Sequence, residues 1–476
     1  MSKSPIVFLL GLDSACWEVI DCLGENMLPT LYSLIDEGVA GILETCHPPS
    51  TFPAWKCITS GLNPGKIGVY GFFDVNTRTR RIRLNSSKSF KGHDIWDYLG
   101  KHGLTSGVMN VPGTYPPKHI KGFIVSGHPA IDGSNYTYPE SIKAKIERLG
   151  YRIHPKKDVR THPEEAVEEI VSMIEVRFEA LRELQESYQC DFLMLTIFYL
   201  DNVQHYLWDA EAGEGSSLVN KVYMKVDTEL SKMLRFLGRG TNVFVVSDHG
   251  MTRIRGTFQL NTWLSNQGYL KVERTKPLKG KILRRIGIGR IYELAKSLSI
   301  DKILLKFIPP ETVRKWAESA QKDLTPIEVV ERMDWERSKA FSANGNIYLL
   351  DKTIEEELIE KLLALTHPKT GEKIFIDVRR RDEVYRGHDI LAPDLIPIPR
   401  KGYNVHCRLS RSTPWAEENS WKATHTRDGI LIASGANIRK IIGKINASIY
   451  DITPTILKLY SIEPEEIDGR ILPILK

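Results

Sequence analysis

Val243-Phe244-Val245-Val246-Ser247-Asp248-His249 is the stretch on which the fold turns. Its apolar, β-branched character predicts a strand buried on both faces, and an acid and an imidazole stand directly at its end. The same pattern recurs at 192–200, an apolar run followed by Asp201-x-x-x-His205. In an open α/β sheet the ligand crevice lies beyond the carboxyl ends of the strands, so both pairs are aimed at one cavity floor. Carboxylates and imidazoles gathered there are the donors a hydrolytic metal site needs.

Outward from these two runs, strand-like and helix-like text alternates along most of the chain. A strand over 6–12 precedes a helix over 14–38 that Pro29 interrupts. A strand over 41–45 leads through Cys46-His47-Pro48-Pro49-Ser50 into a helix opening at Thr51. Further strands are expected over 105–109 and 123–126, and Pro163 with Glu164 and Glu165 reads as the first turn of a long helix to about residue 187. Such alternation predicts an α/β fold with a doubly wound, largely parallel sheet carrying helices on both faces. Between 261 and 337 the text becomes basic and helix-like, so we expect an inserted helical cap there, with 1–260 and 338–476 forming the core. Strands over 346–350 and 429–433 and helices over 354–366 and 452–460 complete the reading.

Composition narrows the class. With 42% hydrophobic and 26% charged residues the chain reads as globular rather than disordered, and its apolar runs fall short of the roughly 20 residues a membrane span needs. The N-terminal residues run straight into a strand with no small-residue cleavage site, so no signal peptide and a cytoplasmic location are expected. Six cysteines without a CxxC pair argue for reduced thiols rather than a disulfide framework. The net charge of +6 is concentrated: 271–315 holds 13 Lys or Arg against 4 Asp or Glu, leaving the remainder slightly acidic.

Five chain segments supply the candidate site: Asp13 after the first strand, Thr51 at a helix start, Asp201 with His205, Asp248 with His249, and His425 in Ala423-Thr424-His425-Thr426. Taken singly, Asp13 and Thr51 are ordinary helix caps. Seven residues of these types in this order resemble the alkaline phosphatase superfamily, within it the branch of type I phosphodiesterases/nucleotide pyrophosphatases and their phosphohydrolase and phosphomutase relatives. The resemblance implies two divalent metal ions. Asp201, His205 and His425 would hold one; Asp13, Asp248 and His249 would hold the other, with Thr51 beside it as the nucleophile. Mixed carboxylate and imidazole donors suit zinc first and manganese second. A threonine hydroxyl holds its proton too tightly to react unaided, and no Ser-His-Asp relay is evident, which leaves metal coordination as the activator.

Departures from the family pattern bear on substrate. The Asn usual about 21 residues beyond the nucleophile falls at Phe72; Lys66, a point charge, and Asn110, an amide donor near a strand end, are candidates to replace it, each also readable as a plain surface or turn residue. His47 and His128 lie near strand ends and are further candidates to line the cleft. The sulfatase sequence C/S-x-P-x-R is absent, since Thr51-Phe52-Pro53-Ala54-Trp55 stands in its place. The implied activity is that of a phosphodiesterase or pyrophosphatase acting through a phosphothreonine. The alternatives are a phosphomutase or phosphomonoesterase of the same superfamily and, from another class, a silent metal-binding scaffold at a membrane. The 271–315 segment is either a solvated helical face or a cap that attracts an anionic, nucleotide or lipid-linked substrate or an anionic membrane surface. Few aromatics and no binding motif argue against nucleic acid as a specific partner.

Overall fold

The strand Val7–Leu12 lies inside a nine-stranded sheet, bonded to Phe192–Ile197 on one side and Asn242–Val246 on the other, both parallel to it. This comes from a computed structural model that describes residues 7–208, 217–273, 323–410, 413–416 and 420–476. The strand order is Lys444–Ser448, Val39–Glu44, Asp428–Ser434, Asn242–Val246, Val7–Leu12, Phe192–Ile197, Ser106–Met109, Gly122–Val125, Thr137–Tyr138. Asp428–Ser434 and Thr137–Tyr138 alone run against the rest.

Period-2 alternation explains the helices on both faces. Val7 and Leu9 point into one buried cluster with Trp55, Ile58 and Ile456, while Phe8, Leu10 and Leu12 point into another with Ile20, Ile174 and Leu181. Every residue of this strand is buried, as a sheet covered on both faces demands, and each such side chain contributes about 1.5–3 kcal/mol by leaving water. The long helix Pro163–Tyr188 opens on Pro with Glu164 and Glu165 in its first turn, as its sequence predicts. The helix expected over 14–38 is two, Trp17–Met27 and Pro29–Glu37, with Pro29 opening the second.

One expectation fails in detail. The apolar run over 192–200 is not strand throughout: the strand ends at Ile197, and Tyr199–Leu207 is a helix burying Leu200 and Val203. Asp201 and His205 therefore do not end a strand; they sit one turn apart on the first helix beyond it. A short apolar run carries no periodicity that distinguishes strand from buried helix, which is why the boundary was misplaced.

These elements belong to a unit comprising Met1–Gly68, Ser86–Ile254 and Ser420–Lys476. A second unit takes Val69–Asn85 and Arg255–Asn419. Its four-stranded antiparallel sheet runs Ala340–Ala343, Asn346–Leu349, Leu395–Pro399, Phe375–Arg380, and its core gathers Phe258, Leu264, Val329, Phe341 and Leu358. Residues 338–419, expected with the core, cluster here because their strands pair with one another and not with the nine-stranded sheet. Of the cap expected over 261–337, residues 274–322 lie outside the described residues, and with them nearly all of the basic segment 271–315; the helices Leu260–Asn266 and Pro326–Arg332 are described and pack into this second core.

Candidate active site

Three neighbouring strands deliver their chain continuations to one edge of the sheet. Asp13 follows Leu12, Phe198 follows Ile197, and Ser247-Asp248-His249 follow Val246. Ser14, in the left-handed region at φ 58°, turns its N–H to Asp248 Oδ1 at 3.0 Å. Asp13 Oδ2 accepts a hydrogen bond from Trp55 Nε1 at 3.0 Å. Each carboxylate thus has one oxygen engaged. Asp13 Oδ1 is buried without a hydrogen-bond partner, and Asp248 Oδ2 and His249 Nε2, equally buried, face each other at 3.2 Å. The Asp13, Asp248 and His249 ligand atoms lie within 4.8 Å of one another. Gly250 is what lets the chain turn away here, since a Cβ would sit 2.1 Å from the Asp428 carbonyl.

Asp201, His205 and His425 form the second group, again within 4.8 Å. The first two share a helix face at i, i+4 spacing, and His425 arrives on Ala423–Thr426, which pairs antiparallel with Gly250–Arg253. Asp201 Oδ1 lies 3.1 Å from His425 Nε2 and 3.3 Å from His205 Nε2. His205 Nδ1 donates to the Ala423 carbonyl at 2.8 Å and His425 Nδ1 to the Pro49 carbonyl at 2.8 Å, while His249 Nδ1 faces the Gly250 carbonyl at 3.3 Å. A carbonyl only accepts, so His205 and His425 carry a proton on Nδ1 and turn Nε2 inward, the orientation in which a neutral imidazole serves as a metal ligand. His205 Nε2 and His425 Nε2 stand 2.9 Å apart, both within reach of the same Asp201 oxygen.

The ionisation pattern has the same origin. Burial, reinforced by the Asp248 charge, pushes the Asp13 carboxyl well above the usual range. Burial pushes Asp248 up to about 8 in spite of the Ser14 N–H. Burial also works against the charge on Asp201, but the His205 and His425 imidazoles outweigh it and hold that carboxyl low. His249 and His205 are pushed down by burial, whereas the Asp201 carboxylate overcomes burial at His425 and raises it. Two buried carboxylates with one imidazole in the first group, and one carboxylate with two imidazoles in the second, are donor sets that fit two divalent cations.

Thr51 is buried and opens the helix Thr51–Ser60, every residue of which is buried. Two tethers fix its place. The Pro49 carbonyl, two residues before it, is held by His425, and Trp55, one turn after it, is bonded to Asp13. The helix start is therefore anchored to both ligand groups, and the N-terminal end of a helix favours an anion.

Lys66 goes elsewhere: its ammonium is paired with Asp468 at 2.8 Å and Glu466 at 3.1 Å, past the far end of the Thr51–Ser60 helix, roughly 15 Å along its axis. Asn110 follows Ser106–Met109 on the same sheet edge as Asp13, with φ 63° and its Oδ1 accepting from the Tyr151 hydroxyl. That bond turns the amide nitrogen away from Tyr151. His128 stacks on Phe198 with ring centroids 5.3 Å apart and meets Phe52 edge-on at 5.8 Å, and burial lowers it to about 4, so it is neutral near pH 7. Two residues that shape the site, Ser14 and Trp55, carry no sequence signal as ligand supports beyond the i+4 spacing of Trp55 from Thr51.

A mostly parallel sheet with two such groups and a hydroxyl at a helix start defines a metal-dependent phosphoric-ester hydrolase of the alkaline phosphatase superfamily, whose members use a two-metal centre. The chain belongs to the type I phosphodiesterase / nucleotide pyrophosphatase family, matched over residues 7–425. Solved structures share the fold. Murine ectonucleotide pyrophosphatase/phosphodiesterase 5 superimposes with a TM-score of 0.58 at 14% identity, covering 100% of both chains. Phosphonoacetate hydrolase from Sinorhizobium meliloti, bound to phosphonoacetate, gives 0.62 at 15% identity over 96% of each. A mutant of the alkaline phosphatase PafA gives 0.58 at 12% identity over 100% of each. No curated protein matches in sequence.

Proposed function

We propose that the chain is a two-metal phosphodiesterase or nucleotide pyrophosphatase that forms a phosphothreonine at Thr51. The observation that carries this is the double tether of the Thr51 helix, through Pro49 to His425 and through Trp55 to Asp13, which ties the segment bearing this hydroxyl to both cation-fitting groups. Asp201, His205 and His425 would hold one cation and Asp13, Asp248 and His249 the other, with zinc favoured and manganese next by donor type. Bound there, the cations supply Lewis acidity toward the threonine hydroxyl and the phosphoryl oxygens.

The chain's own residues do the rest. The Thr51 oxygen attacks phosphorus in line with the departing oxygen, so a P–O bond to Oγ1 forms as the ester or anhydride bond breaks. The N-terminal end of the Thr51 helix favours the negatively charged phosphoryl group, and the Asn110 amide nitrogen is a candidate donor on the same sheet edge. Water then attacks from the vacated side, its oxygen bonding to phosphorus as the P–Oγ1 bond breaks, so that the phosphate monoester leaves and one water proton restores the Thr51 hydroxyl. Support for a nucleotide substrate comes from the murine relative, of which an inactive threonine-to-alanine form is known in complex with AMP. A lipid-linked phosphate is the second substrate class, suited to the positive charge of the sequence 271–315, which would draw anionic substrates or an anionic membrane surface. We further propose a cytoplasmic location.

The test compares bis(p-nitrophenyl) phosphate with p-nitrophenyl phosphate on zinc- or manganese-loaded protein. Diester turnover is expected to exceed monoester turnover and to fall by about 10³-fold or more in Thr51→Ala, with acid quenching trapping phosphate on Thr51 in the wild type. A preference for the monoester would move the reading to a phosphatase or mutase. Undiminished turnover in Thr51→Ala would remove the covalent route.

A further inference from the structure

Trp55 is fully buried, and its indole N–H ends on a carboxylate, Asp13, that is fully buried too. The contact is tightly built. Gly11, two residues before Asp13, leaves the space the indole fills; a Cβ there would lie 2.4 Å from Trp55 Cη2 and 3.0 Å from Thr196 Oγ1. Trp55 stands four residues beyond Thr51, on the same face of a rigid, wholly buried helix. Its bond to Asp13 has a counterpart on Asp248, whose Oδ1 is taken by the Ser14 N–H. In each carboxylate the second oxygen stays clear of that donor, Asp13 Oδ1 without a partner and Asp248 Oδ2 at 3.2 Å from His249 Nε2.

We infer that Trp55 is a positioning residue. By occupying Asp13 Oδ2 it limits Asp13 to one metal-facing oxygen and ties the spacing between that ligand and Thr51 to the length of a single helical turn. With Asp13, Asp248 and His249 each offering one atom, coordination positions remain for a hydroxyl and a phosphoryl oxygen; a freed Asp13 carboxylate can turn, and can close both its oxygens on the cation. The inference rests on the two-metal reading of the site.

Calorimetric titration of the metal-stripped full-length chain with zinc tests it, on wild type, Trp55→Phe and His205→Asn. Wild type is expected to show two binding constants. Trp55→Phe should change one of them by roughly 10–100-fold, the usual scale for removing a ligand's hydrogen-bond partner, and leave the other in place, while His205→Asn moves the other. In the zinc-saturated variant kcat for a diester should fall about tenfold with KM nearly constant, because the ligand-to-nucleophile spacing and not substrate binding is disturbed. Should Trp55→Phe fail to fold, Gly11→Ala crowds the indole while keeping its N–H, and the same constant should move. Two zinc ions bound to a folded Trp55→Phe chain with both constants and kcat within threefold of wild type would overturn the role of Trp55 and leave the two-metal reading standing. A wild type that takes up no zinc would overturn that reading, and this inference with it.

Discussion

Two buried carboxylates with no cation between them are a weakness that pH exposes. Asp13 and Asp248 have folded-state pKa values raised by burial, Asp248 to about 8, above the value of 3.8 for a solvated Asp. Between those limits the folded, metal-free chain keeps a proton that the unfolded chain has lost. For Asp248 the stability from this source is therefore complete below about pH 4 and is lost as pH rises to about 8, at no more than about 1.4 kcal/mol per unit, and the raised Asp13 carboxyl acts in the same direction. Metal binding needs the same groups deprotonated, so it should reverse the trend. Thermal unfolding at pH 5, 6.5 and 8, with zinc and with a chelator, should show a gap that widens with pH; equal midpoints throughout would count against cation binding at Asp13 and Asp248.

At the scale of elements, the helix Thr51–Ser60 is held by charge at its middle. Lys56 Nζ lies 2.5 Å from Asp94 Oδ1, Thr59 Oγ1 donates to the same oxygen at 2.8 Å, and Lys118 reaches Asp94 Oδ2 at 2.8 Å. Asp94 also caps Ile95–Lys101, so this single carboxylate joins two helices. Lys56 and Asp94 are both nearly buried, and Asp94→Ala would strand the ammonium; the expected cost is about 3–5 kcal/mol, read as a lower denaturant midpoint at unchanged m. Lys56→Met, which removes the charge as well, should cost less. Little of this was legible in the sequence. Asp248 and His249 could be placed because a β-branched run ends directly before them, and Pro163 with two glutamates announced its helix. Asp201 and His205 were found as a pair but put on the wrong element, since residues 198–200 are as apolar as the strand before them. Trp55 and Asp94 act through partners 42 and 38 positions away, a separation that no local pattern encodes.

For the whole molecule, every residue of both ligand groups and Thr51 belong to the first unit, and none to Val69–Asn85 or Arg255–Asn419. Phe341→Ala, in the core of the second unit, is expected to cost about 3–5 kcal/mol there while two zinc ions still bind the folded chain. Loss of one zinc would show that the second unit supports the site. The α/β class was readable because strand and helix text alternate; the extent of the second unit was not, because its strands look like the others and only pairing partners separate them. Among the described residues no helix is long and apolar enough to cross a membrane.

The order of the ligands along the chain also sets a timetable. Synthesis delivers Asp13 first, then Asp201 and His205, then Asp248 and His249, and His425 only after the whole second unit has been made. Once residue 249 has emerged, the strands bearing Asp13 and Asp248 can pair and close one cation site. The other stays a two-ligand fragment for the next 176 residues. The growing chain is thus able to close the Asp13 group before the group that waits for His425 is complete.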